Sequence, residues 1–219
     1  MQIIPSVLEY NVDGLNLQIS RLSKYFSRFQ IDTADGIYVD NTTIQTNDIV
    51  DYFKKSLINF KNLIFDFHFM TKNYENDIRK INELRKIINI NYIFVHYNLF
   101  PNLNQIKKEC SLPIGLVFNP QDQINDLSNH YSLNEIPFFQ IMSIVPGAQG
   151  KPFIPETLNK IEQLRDIGYR KEIFLDGAVN EKTIPVILAK KYQPDFICPG
   201  SFLTKAKNLE KNVKYLNKL

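Results

Sequence analysis

The chain has little of what marks several protein classes. Only two cysteines occur in 219 residues, Cys110 and Cys198, too few and too isolated for a disulfide framework or a zinc–thiolate site. A reducing, cytoplasmic setting is the expectation. No apolar run approaches the length of a membrane span, and the opening MQIIPSVLEYNVDG has neither the basic nor the apolar region of an export signal. Charge of one sign is also scarce: 26 Lys and Arg face 23 Asp and Glu. So weak a field speaks against a nucleic-acid stripe and stays compatible with a small anionic substrate. The first β/α turn lacks the G-x-G-x-x-G pattern and no G-x-x-x-x-G-K-[ST] appears, which removes the usual support for a nucleotide-binding open sheet. No linker or low-complexity tract divides the chain. One domain over residues 1–219 is therefore the simplest organisation.

What is present is an alternation of short β-rich runs with longer segments of helical period, the mark of βαβ units and a parallel sheet. Eight such runs are expected, at Gln2–Pro5, Arg28–Asp32, Asn62–His68, Tyr92–His96, Ile114–Val117, Phe139–Met142, Ile173–Leu175 and Phe196–Cys198. Between them Leu15, Ile19 and Leu22 mark one helix, Ile78, Ile81, Leu84 and Ile88 another, and Leu158, Ile161 and Leu164 a third. Pro155 suits a first helical turn and Gly168 a helix stop. Periodicity does not report whether the sheet closes, so an open doubly wound sheet and a (β/α)8 barrel both fit this rhythm.

Polar residues gather where the runs end, which is where a parallel barrel keeps its reactive groups. Gln30 and Asp32 are two apart and leave one face of their strand, as do Asp66 and His68. Asp32, His68 and Asp176, converging from the second, third and seventh strands, would make an oxygen/nitrogen site for a divalent cation such as Zn, Mn, Fe or Mg. Taken singly, His68 could be a hydrogen-bonded structural residue, and Asp32 or Asp35 a turn former. The loops carrying Gly147 and Gly150, Gly177 and Ala178, and Gly200 and Ser201 follow the last three strands, the usual place where a barrel holds a phosphate.

The motifs occur in an order similar to that of the ribulose-phosphate 3-epimerases. Ile4–Leu8 resembles A-P-S-I-L, Gln30–Gly36 resembles H-V-D-V-M-D-G, and Asp66–Met70 resembles D-V-H-L-M. Met142–Phe153 resembles M-S-V-N-P-G-F-G-G-Q-x-F, Leu175–Asn180 resembles V-D-G-G-V-N, and Pro199–Ser201 resembles the A-G-S loop. The resemblance implies a metal-dependent (β/α)8 barrel, a homo-oligomer, acting on a phosphorylated ketose, with D-ribulose 5-phosphate first among the candidates. It implies Asp32 and Asp176 as the two proton-transfer groups, His68 as a further metal ligand, and one divalent ion. Substrate contacts would come from Ser6, His68, Met70, Met142 and the glycine loops. A sugar-phosphate isomerase with another substrate, or a binding-only barrel, are the competing readings. Several positions depart from the pattern. Gln30 stands where the family has a metal-ligating histidine, and its carbonyl is the fourth candidate ligand. Ala34 replaces a methionine, Ala148–Gln149 a Phe–Gly pair, and Lys151 a glutamine. Ala178 replaces a glycine, which leaves backbone N–H binding intact on condition that its φ is negative.

Overall fold

Pro5 has no N–H to give a ladder, and the first barrel strand is split around it. In the computed structural model, which describes residues 1–56 and 60–219, its halves are β1 (Gln2–Ile3) and β2 (Ser6–Val7). The remaining strands are β3 (Arg28–Ala34), β4 (Ile64–Met70), β5 (Asn89–His96), β6 (Ile114–Phe118), β7 (Phe138–Met142), β8 (Glu172–Asp176) and β9 (Phe196–Cys198). Every pairing between them is parallel, in the order β1-β9-β8-β7-β6-β5-β4-β3-β2. Because β1 and β2 are one continuous segment, that order is a ring. On one side Ile4 N donates to Ile197 O at 3.0 Å and Ser6 N to Pro199 O at 3.3 Å; on the other, Gln30 N donates to Pro5 O at 2.9 Å. The open sheet that the rhythm alone allowed is thereby excluded, and the fold is a (β/α)8 barrel.

The strands match the expected runs with shifted ends. β4 begins two residues after Asn62 and runs on to Met70, and β3 continues past Asp32 to Ala34. The helices are α1 (Val12–Leu22), α2 (Thr46–Lys55), α3 (Tyr74–Glu83), α4 (Leu103–Glu109), α5 (Asn159–Asp166), α6 (Ile184–Leu188), α7 (Ser201–Thr204) and α8 (Leu209–Leu216). Pro155 opens a 3-10 turn that leads into α5, and Gly168, at φ +93°, follows that helix's end. Between β6 and β7 the described residues form 3-10 turns, Ile124–Asn129 and Leu133–Glu135, where a regular β/α unit carries an α-helix. Among the described residues no helix is long and apolar enough to cross a membrane.

Strand alternation sorts the side chains into two cores. Phe29, Ile31, Phe65, Phe67, Ile93 and Val95 point outward and pack with Leu15, Ile19, Ile49, Phe53, Ile78 and Ile81 of the surrounding helices. Pointing inward, Phe94, Phe138, Phe174 and Phe196 fill the barrel, with Phe174 and Phe196 stacked at 4.4 Å. Beside this aromatic plug, Arg28 makes paired hydrogen bonds to Asp66 at 2.7 and 3.1 Å, and its guanidinium lies over the rings of Tyr92, Phe174 and Phe196. The plug closes the barrel beneath the ends of the strands, where the polar residues collect.

Candidate active site

Register places the polar residues. In the β3–β4 pairing Gln30 lies opposite Asp66 and Asp32 opposite His68; in the β7–β8 pairing Met142 lies opposite Asp176. Asp32, His68 and Asp176 therefore reach the barrel axis from the carboxyl ends of β3, β4 and β8, and all three are buried.

A dense set of hydrogen bonds joins them. Ser6 Oγ donates to Asp32 Oδ2 at 2.5 Å. Gln30 Nε2 lies between the carboxylates and donates to Asp32 Oδ1 at 2.9 Å and to Asp176 Oδ2 at 2.6 Å. His68 Nδ1 is 3.1 Å from Asp32 Oδ1 and 3.7 Å from Asp176 Oδ2, while its Nε2 meets His96 Nε2 at 3.0 Å. Gln140 Nε2, from β7, donates to Asp176 Oδ2 at 3.3 Å. Asp35 is set apart: its carboxylate accepts from the backbone N–H groups of Ile37, Tyr38 and Lys72, so it is the turn former and Asp32 is not.

Burial, and then the charge of Asp32 beside it, push the Asp176 carboxyl up to about 7, against the opposing pull of His68 and the hydrogen bond from Gln30. One member of the carboxyl pair can thus hold a proton near neutral pH. Burial, and then His68 next to it, hold His96 well below the ordinary imidazole range. His96 is a neutral ring supporting His68.

Above the carboxylates opens a cavity with about 460 Å³ of empty volume. The structure brings together on its wall every residue singled out above for substrate contact: Ser6, His68, Met70 and Met142 on the floor, and Gly147, Gly150, Gly177, Ala178, Gly200 and Ser201 around the loops. Lys151 is exposed and lines the adjoining cavity beyond Gly147 and Ala148 instead. Ala178 adopts φ +49°, contrary to the negative φ expected of it. It follows Gly177 at φ +112°, where a Cβ would come within 2.7 Å of Ile144, so the tight turn after β8 carries both residues into the left-handed half of the map.

The chemistry of the donor set fits a divalent cation. Asp32, His68 and Asp176 each offer a ligand atom, all within 4.8 Å of one another, and two carboxylates with one imidazole suit a hard or borderline ion. Gln30 differs from its expected role as a ligand. It turns its N–H2 group to the carboxylates and its oxygen toward Cys198 Sγ, 3.6 Å away, and an amide nitrogen has no lone pair to offer a metal. In this arrangement it is a donor to both carboxylates. Sequence reasoning left three residues without a role: His96 behind His68, Gln140 beside Asp176, and Gln149 on the cavity wall. The signal for Gln140 was present, since a glutamine two residues before Met142 interrupts the inward face of an otherwise apolar strand.

Comparison with known proteins agrees with this geometry. The sequence model of the ribulose-phosphate 3 epimerase family matches residues 2–203. The chain is 28% identical over 196 residues to the ribulose-phosphate 3-epimerase of Methanocaldococcus jannaschii, which covers 86% of this chain and 77% of that one. With the enzyme of the same name from Buchnera aphidicola subsp. Baizongia pistaciae it shares 29% identity over 217 residues, 95% of this chain and 91% of the other. Among solved structures, KGPDC from Streptococcus mutans in complex with D-R5P is similar at a TM-score of 0.66 and 13% identity, over 100% of this chain and 97% of that one. Orotidine 5'-phosphate decarboxylase from Pyrococcus horikoshii OT3 gives 0.56 at 17% identity, over 96% of each chain. These structural likenesses bear on the fold alone.

Proposed function

The chain belongs to the ribulose-phosphate 3-epimerase family, and from that premise we propose that it inverts C3 of a ketose phosphate, interconverting D-ribulose 5-phosphate and D-xylulose 5-phosphate. The observation that carries this reading is the pair Asp32 and Asp176, drawn from strands on different sides of one cavity and joined through Gln30 Nε2.

Inversion at C3 requires removal of the proton on a carbon next to a carbonyl, followed by return of a proton to the opposite face. Asp32, whose oxygens accept from Ser6 and Gln30, takes the proton in one direction. Asp176, able to hold a proton near neutral pH, delivers one from the other side. In the reverse direction their roles exchange. Residues Asp32, His68 and Asp176 would hold a divalent ion, which supplies positive charge for the oxygens of the enediolate. Gln30 and Gln140 keep the Asp176 carboxyl oriented. Met70 and Met142 give the floor an apolar wall that limits water at the carbanionic centre.

The loops bearing Gly147, Gly150, Gly177, Ala178, Gly200 and Ser201 would hold the phosphate end of the substrate. The same reading makes the protein a cytoplasmic homo-oligomer built from one domain, 1–219, which light scattering on the purified protein checks. A coupled assay on D-ribulose 5-phosphate tests the reaction: turnover is expected from the wild-type protein, and its absence with divalent ions supplied would overturn the proposal.

A further inference from the structure

Gln149 carries a buried donor that the fold leaves without a partner. Its Nε2 forms no hydrogen bond among the described residues, while its Oε1 lies 3.3 Å from Thr204 Oγ1, a hydroxyl that is also 3.3 Å from Gly200 O. The nitrogen lies over Gly200: a Cβ there would come within 2.8 Å of it, so the glycine makes room for this side chain. Gln149 lines the catalytic cavity on the wall shared with Gly177, Ala178, Gly200 and Ser201. Leaving a buried N–H unpaired costs free energy, which an acceptor in the cavity would recover.

The wall has a second property. Among the described residues lining the cavity there is no lysine or arginine. An anion held here is recognised by neutral donors, and each donor then counts for more than it would beside a fixed positive charge. A phosphate monoester presents only acceptor oxygens and several of them, which matches a wall made of backbone N–H groups, a serine hydroxyl and an unpaired amide.

We infer that Gln149 is a substrate-binding residue whose Nε2 donates to the phosphate of the sugar phosphate; the inference rests on the ketose-phosphate reading given above. With its hydroxyl hydrogen donated to Gln149 Oε1 and not to Gly200 O, Thr204 is a positioning residue acting through Gln149.

The test compares wild type with Gln149→Met, which keeps length and removes the donor, and Gln149→Glu, which replaces it with an anion. Inorganic phosphate binding is measured by calorimetry, and KM and kcat on D-ribulose 5-phosphate by coupled assay. Gln149→Met is expected to weaken phosphate binding and raise KM together by about tenfold to a hundredfold, with kcat changed by less than about twofold. Gln149→Glu should weaken both further. Thr204→Val, which loses the anchoring hydroxyl with little change of shape, should give a smaller shift of the same pattern. Phosphate binding by Gln149→Met at the wild-type level, or no phosphate binding by wild type, would overturn the inference. If wild type binds phosphate, Gln149→Met binds it more weakly, and neither turns over ribulose 5-phosphate, the residue's role stands and the proposed reaction falls.

Discussion

Asp66 and Asp176 are both buried carboxyl groups inside one barrel, two layers of the same structure, and they are neutralised in different ways. Asp66 has its counter-ion built into the chain: Arg28 grips both its oxygens, the backbone N–H of Tyr92 adds a third bond, and three aromatic rings surround the guanidinium. Asp176, nearer the mouth, faces another carboxylate and two glutamine amides, with no lysine or arginine in hydrogen-bond reach among the described residues. The lower layer carries its own counter-ion and serves the fold, with burial still raising Asp66 to about 6 against the pull of Arg28. The upper layer has an unmet demand for positive charge, and that demand is what a proton, a cation or a reacting substrate can answer. A buried carboxylate is thus read as structural or functional by whether the chain itself supplies its partner.

The sharpest way to break this comparison is to make the same substitution in both layers. Asp32→Asn and Asp176→Asn should each lower turnover by about 10²- to 10⁴-fold in the coupled assay, the span of a lost general acid or base, with the protein still folded. Asp66→Asn should instead lower stability while the folded fraction keeps its rate; a dead but fully folded Asp66→Asn protein would erase the distinction.

Next in size is the lower layer's own vulnerability. Arg28→Met leaves Asp66 buried without its counter-ion and should cost about 3–5 kcal/mol in urea unfolding. A loss below about 1 kcal/mol would mean that the pair is not the closed unit described here.

The cation demand of the upper layer gives a third expectation. Chelation should remove activity and added divalent ion restore it, and Gln30→His, which exchanges an amide donor for an imidazole, should tighten zinc about tenfold or more in competition titrations. An unchanged zinc affinity would show that position 30 does not face the ion.

A fourth separates the layers by pH. The Asp176 carboxyl is raised from 3.8 to about 7 in the folded chain, so its protonated form adds stability that is full below about pH 4 and is lost as pH rises through about 7. Burial also raises the Asp66 carboxyl to about 6 against the pull of Arg28, so both layers slope the same way. In thermal melts of chelated protein Asp176→Asn should remove the part that runs on to about pH 7 and leave the part below about 6.

The smallest effect concerns strain. Ala178→Gly relieves a left-handed alanine and should stabilise the fold by up to about 1 kcal/mol in the same urea assay, after the chain entropy that glycine adds.

Much of the fold was legible because the cues are local. The β/α rhythm, the helical faces of Leu15, Ile19 and Leu22, and the break after Gly168 each depend on neighbours in sequence. Asp32, His68 and Asp176 were legible because they end strands within motifs that occur in order. What escaped depends on distance in space. Asp32, two residues on, is one of the groups that Gln30 meets, but Asp176 and Cys198, which complete the setting of its amide, lie over a hundred residues away. The same holds for Gln149, whose amide meets Thr204 Oγ1, and for the closure of the sheet, which rests on contacts of Ile4 and Ser6 with Ile197 and Pro199. Ala178 was misjudged because alanine carries no marker of positive φ; the demand comes from the turn imposed by Gly177 against Ile144.

The ring closes through Gln2–Val7, pairing with β9 on one side and with β3 on the other. The seam therefore joins the first strand of the barrel with its last. During synthesis Ser6 can find Asp32 early, but the wall that carries Cys198 and Gly200 cannot dock until β9 has been made. A large share of the ordering cost falls on one late, long-range step. Until that step the facing edges of Gln2–Val7 and β9 stand open to other chains. The finished site and the sealed seam arrive together, so a nascent chain cannot acquire chemistry before it is safe from aggregation.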